Sequence, residues 1–179
     1  MGFFGDPKID GYELKQCLDC FEAETNITAF QTKEADFYND VMVKYSNSIM
    51  EDPSAAREAS KAAKRLSQAA TEIIRRHDEI KSVPSAASEM HYAWHVTFLA
   101  NAAWASATAA TMDAMANGLD PNLVYVAQLM EQYQTAWSRT QNEDKKFVKR
   151  LKVSSEEIER IIMRVNTEVA ADDNWKPNI

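Results

Sequence analysis

The sequence predicts an all-α fold: an antiparallel up-and-down four-helix bundle of long helices with a shorter fifth C-terminal helix. Three observations lead there. Four glycines and five prolines in 179 residues are too few for the turns of a many-stranded sheet, while the strong helix formers Ala, Glu, Lys, Gln and Met are abundant. Apolar residues recur at alternating three- and four-residue steps, which places them on one side of a helix. Pro53, Pro84 and Pro121 mark the turns, and the second, third and fourth helices between and after them each have roughly 30 residues, or about 45 Å at 1.5 Å per residue, matched for antiparallel stacking. A chain of this length fills one core, so 1–179 reads as a single domain.

The first helix is expected over about 10–50, with Leu14, Cys17, Leu18, Phe21, Thr28, Ala35, Tyr38, Met42, Tyr45 and Ile49 in phase. Thr25 to Thr28 is its weak stretch, where β-branched residues and Asn26 could kink or split it. The second helix, 54–82, carries an unbroken heptad through Ala56, Ala63, Leu66, Ala70, Ile73, His77 and Ile80. The third, 85–117, has Met90, Trp94, Thr97, Asn101, Trp104, Thr108, Met112 and Met115 on its main face. Asn117-Gly118 ends it, with glycine suited to a left-handed cap, and Asp120-Pro121 opens the next.

The fourth helix, 122–152, turns Val126, Leu129, Tyr133, Trp137, Thr140, Phe147 and Leu151 inward. Ser154 and Glu157 form a capping box for the fifth, 156–170, which carries Ile158, Ile161, Ile162, Val165 and Val169. The polar tail, 171–179, is expected to fray. Helix one is about ten residues longer than its partners, and helix five is expected to cover its overhang around Leu14 to Phe21. From Asp6 to Asp52 there are eleven acidic and four basic residues, against seven basic and four acidic from Arg57 to Lys81. That asymmetry favours pairing helices one and two, although each exposed pair contributes only tenths of a kcal/mol.

A net charge of −7 argues against nucleic acid, whose non-specific binding depends on Lys and Arg displacing counterions. The first twenty residues contain no basic segment followed by an apolar one, so a cytoplasmic location is expected; a mature exported chain beginning at Met-Gly would look the same. Met90 to Met112 lacks Asp, Glu, Lys and Arg, but two histidines, an asparagine and several threonines interrupt it and its apolar content is mainly Ala. It reads as a buried helix and not as a membrane span.

Several residues could carry chemistry. Cys17-Leu18-Asp19-Cys20 has the spacing of redox dithiols and of half a zinc site. It falls inside a predicted helix, with no strand beside it and with Phe21 following, so both cysteines are expected to serve packing. His91 and His95, four apart, share one side of helix three. Counting from the turn at Pro84 brings His77 to the level of His91. Counting from Pro121 brings Glu143 and Asp144 to the level of His95. The three histidines and two carboxylates then form a layer about 10 Å thick, a candidate site for zinc or another transition metal. The same count displaces Cys17 and Cys20 by roughly 10 to 15 Å along the axis. The bland alternative is a core His77 with the others facing solvent. A ferritin-like di-iron centre is excluded, because no Glu-x-x-His occurs.

Lys145, Lys146, Lys149, Arg150 and Lys152 make a basic amphipathic stretch that suits an anionic lipid surface, or simply the cationic last turns a helix prefers. A final feature is a small-residue row on helix three, Ala93, Ala100, Ala103, Ala107, Ala110 and Ala114, on a helix with no charge between Glu89 and Asp113. Small residues let another helix approach closely, from within the chain or from a second copy. No P-loop, nucleotide fingerprint or Ser-His-Asp arrangement is present. The leading expectation is therefore a non-enzymatic interaction or scaffold protein that self-associates through helix three and has no obligatory cofactor. A zinc-class metal-binding bundle and a membrane-surface protein are the alternatives.

Overall fold

The structure is a computed structural model that describes residues 9 and 11–172. Among these residues it contains five α-helices and no strand: α1 (Gly11–Tyr45), α2 (Pro53–Asp78), α3 (Ser88–Ala116), α4 (Leu123–Leu151) and α5 (Ser155–Ala171). A 3-10 turn, Ser85–Ala87, precedes α3. The predicted tail beyond Asp172 lies outside the described residues.

The helix boundaries follow local chemistry. Asp52 caps α2 by accepting from the Ser54 N–H, with Pro53 in the first turn, where its missing N–H costs nothing. The α3 terminus is a Schellman motif. Gly118, at φ 71, donates to the Met115 carbonyl, and Leu119 donates to Ala114. The fourth helix opens one step later than the Asp-Pro pair suggests, because the Asn122 side chain accepts from the Tyr125 N–H and makes Asn122 the cap. Ser154 Oγ caps α5 through the Glu157 N–H.

Helix α1 passes unbroken through Thr25–Thr28. The hydroxyls of Thr25, Thr28 and Thr32 donate to the carbonyls of Phe21, Glu24 and Thr28, one turn back. The polar atoms of these β-branched residues are thus satisfied by the helix itself. It stops at Tyr45, short of the expected 50, and residues 46–51 reverse direction through turns closed on the Tyr45 and Ser48 carbonyls.

Neighbours in sequence are neighbours in space, with α2 against α3, α3 against α4 and α1 against α2. Their registers run in opposite directions. Glu24 meets His77 and Glu34 meets Arg65 across α1 and α2; Lys64 meets Asp113 and His77 stacks on His91 across α2 and α3; Trp94 meets Asp144 and Trp104 meets Tyr133 across α3 and α4. Alanines 55, 56, 59, 62, 63, 69 and 70 are all buried on α2, which allows α1 and α3 to close on it from two sides.

The two outer helices, α1 and α4, are spanned by large side chains and not by close backbone approach. Phe21 lies against Phe147, and Gln31 donates to the Tyr133 hydroxyl at 2.7 Å. The fifth helix departs from expectation only in its onward course. It begins at the predicted place, with Ile158 in the cluster around Cys17, Phe21 and Leu151, but then runs along α1 in the same direction. Arg164 pairs with Glu22, Phe30 packs with Val165 and Val169, and Lys33 reaches the α5 terminus. The first turns of α5 cover the α1 overhang, where Ile158, Ile161 and Ile162 join Leu14, Cys17 and Phe21, and its onward course along α1 leaves a cleft between α1, α4 and α5.

Candidate functional site

Positions Cys17, Glu24, Gln31 and Tyr38 are spaced by seven, so they share the inner face of α1, and all four are buried. A carboxylate at such a position needs partners in the interior. The end of α2 and the first turns of α3 supply them. Glu24 is 2% exposed, and its Oε1 accepts from His77 Nε2 at 2.8 Å and from His91 Nδ1 at 2.5 Å. Where Glu24 is ionised it can only accept, and the two ring nitrogens facing it then carry the protons. The rings of His77 and His91 stack at 4.1 Å between centroids, His95 stacks on His77 at 5.7 Å, and Phe98 closes the far edge of His77 at 5.1 Å. Two buried atoms of this cluster, His77 Nδ1 and Glu24 Oε2, have no hydrogen-bond partner.

Two groups of potential metal donors adjoin there, each with its donor atoms within 4.8 Å of one another. His77, Asp78 and His95 form one, at the outer edge of the helix layer; His95 Nδ1 stands 3.7 Å from Asp78 Oδ1. Cys20, Glu24 and His91 form the other, deeper one. The deeper group is the poorer host. Burial, reinforced by Glu24 and Cys17, pushes the Cys20 thiol up to about 12, and burial raises Cys17 as well. Without a metal both cysteines are therefore held as thiols, so an ion ligated by Cys20 has first to displace its proton. In the outer group His77 Nε2 is held by Glu24, which leaves the unpartnered Nδ1 to ligate. Metal-bound histidines have this arrangement, the second nitrogen being fixed by a carboxylate.

The sequence-predicted layer is thus half assembled. All three histidines come together, but the carboxylates that join them are Glu24 and Asp78. Glu143 instead pairs with Lys146 at 2.7 Å and belongs to neither donor group. Asp144 accepts from Trp94 Nε1 at 2.8 Å, and burial raises its carboxyl to about 6, with the Trp94 N–H opposing the rise and the Glu24 charge adding to it. The expected separation of the Cys pair is corrected too, since Cys20 reaches Glu24 and His91. The level count expects residues 26–31 of helix one to lie beside His91, which sets the reversal between helices one and two near Pro53. The pairs Glu24–His77 and Glu34–Arg65 centre it near residue 50, because the 46–51 turns consume residues without helical rise. That shift slides α1 by several residues. The missed carboxylate had a sequence signal, its seven-residue spacing from Cys17 and Gln31. Asp78 had none beyond adjacency to His77.

The other candidates are dispersed. In the Ala row of α3, Ala93 is buried, Ala100, Ala107 and Ala114 are half-buried, and Ala103 and Ala110 are exposed. Tyr92 and Leu99 beside them are 59% and 47% exposed. The fifth helix packs on α1 and leaves this face uncovered. The basic stretch shows only its charged side: Phe147 and Leu151 are in the core, Lys146 pairs with Glu143, and Arg150 donates to the Ala86 carbonyl. No helix among the described residues is long and apolar enough to cross a membrane. Compared with protein-family models, with curated proteins and with solved structures, the chain finds no match.

Proposed function

We propose that this protein is a transition-metal-binding helical bundle, with a divalent ion of the zinc class held by His77, His95 and Asp78. One observation carries the reading: His77 Nδ1 is buried without a partner while Glu24 holds Nε2, and a ring nitrogen of His77 lies within 4.8 Å of donor atoms of His95 and Asp78. Imidazole nitrogen with carboxylate oxygen is a donor set suited to zinc and its neighbours and poorly suited to calcium or magnesium. Three protein ligands leave the fourth tetrahedral position to water. His77 is buried and held by Glu24, His95 is half-buried and Asp78 is exposed, so the ion enters from solvent onto a preoriented ring.

Isothermal titration of the EDTA-stripped protein with zinc chloride tests this. One ion per chain at micromolar affinity or tighter is expected, with loss of at least tenfold in His95→Ala and in Asp78→Asn. Binding that survives both substitutions but fails in Cys20→Ser would move the ion to the deeper group. Absence of binding would overturn the reading.

A second reading, self-association through α3, is favoured by the uncharged exposed strip that includes Tyr92, Leu99, Ala103 and Ala110. Contiguous apolar surface of this kind is characteristic of an interface between copies. Light scattering at high micromolar concentration tests it: a dimer mass that reverts to monomer in Leu99→Glu is expected, and a strictly monomeric wild type would refute it.

A further inference from the structure

The cleft between α1, α4 and α5 has a volume of ≈ 600 Å³, within the range of small-molecule sites. Its chemistry differs from one end to the other. At the inner end Asp144 sits among Phe21, Trp94 and Trp137, with the two indoles packed edge to face at 5.4 Å. Trp94 satisfies one Asp144 oxygen, and no Lys or Arg pairs with this carboxylate among the described residues. The neighbouring wall contributes Glu24, whose Oε2 is buried and unpartnered. Farther along, the α1 wall is Thr25, Thr28 and Ala29, its threonine hydroxyls turned back on their own helix. Ile162 and Val169 of α5 face it. Lys33 is the cation of the cleft wall, and its ammonium is engaged by the Val169 and Asp172 carbonyls at the α5 terminus.

An acidic, aromatic-walled end joined to a mainly apolar channel, which also carries Asp36 and Asn166, has a defined complement. Glu24, buried, and Asp144, half-buried, repel an anion and gain less from a neutral ligand, whereas a cation neutralises them beside the aromatic side chains. We infer that this cleft is a binding site for a small organic cation with an aromatic or branched apolar body, its ammonium held by Asp144 among Phe21, Trp94 and Trp137. The site stands apart from the metal reading. It shares only the Glu24 wall, and Asp144, its charged contact, belongs to neither donor group.

The probe is benzyltrimethylammonium, titrated into the full chain in EDTA and followed by calorimetry and by tryptophan emission, with benzyl alcohol and benzoate as neutral and anionic counterparts. Saturable one-to-one binding of the cation is expected, at least tenfold tighter than either counterpart. Asp144→Asn is expected to weaken the cation tenfold or more and to erase the preference. Gln141→Trp, which fills the inner end from α4, is expected to abolish binding with the helical circular dichroism unchanged. The inference is overturned if the wild type shows no preference for the cation, a result independent of how any variant folds, or if Asp144→Asn binds it as tightly as the wild type.

Discussion

Asp144 and Glu24 illustrate how one residue type behaves differently under different partners. Glu24 is held by two imidazoles, whereas Asp144 has a single indole N–H and the repulsion of Glu24. Because the folded state raises Asp144 from 3.8 to about 6, it binds a proton more tightly than the unfolded chain does. The associated stability is complete below the unfolded value and is lost as pH rises through about 6. Burial sets most of this shift, the Trp94 N–H on α3 opposes it and the Glu24 charge on α1 adds to it, and an amide keeps the Trp94 hydrogen bond without the charge. Asp144→Asn is therefore expected to be more stable than wild type at pH 8 by on the order of 1–2 kcal/mol, and equal to it near pH 4. Thermal melts at the two pH values measure the difference.

At the scale of the helices, α1 and α2 are tied by an ion pair with a buried carboxylate and a half-buried arginine as well as by their alanines. Arg65 holds Glu34 through two hydrogen bonds of 2.7 and 3.0 Å, with its guanidinium 3.9 Å over the Phe37 ring, and Glu34 is 1% exposed. Removing the arginine strands a buried carboxylate. Arg65→Ala is expected to cost about 3–5 kcal/mol by urea denaturation, far more than loss of an exposed pair such as Lys15–Asp19. The opposite charge bias of the two segments anticipated that they pair, but not that one pair would hold a buried carboxylate. Helix α5 depends instead on its cap: Ser154→Ala is expected to cost about 1 kcal/mol, read as faster amide exchange in its first turn.

At the scale of the whole molecule, the bundle is closed on three sides and open on the fourth. The histidines that α2 and α3 bring together lie across their common turn, so an ion bound there joins two helices that the unfolded chain leaves apart. By mass action, zinc at a hundredfold excess over its dissociation constant is expected to add about 2.7 kcal/mol. For a chain of this size that raises Tm by roughly 5–10 °C. Differential scanning fluorimetry with and without zinc, and with His95→Ala as control, checks both the rise and its origin.

The sequence by itself determined the helices and most of their ends, since capping residues, glycine and proline act within a turn of where they stand, as Asp52, Gly118 and Ser154 do. It also determined that the histidines meet, because His77 and His91 flank a short connection that leaves little freedom of register. Only the tertiary structure decided the rest. The meeting of Cys20 and Glu24 with His91 depends on where the chain reverses between α1 and α2, and a few residues of slippage there move a side chain by a full turn. The course of α5 depends on which face of α1 has buried area to offer. Ser154 fixes where α5 starts, while Phe30, Val165 and Val169 fix its direction. The cleft lined by Asp144 is a consequence of that choice. Capping is local, but side-chain burial is decided by all the helices at once.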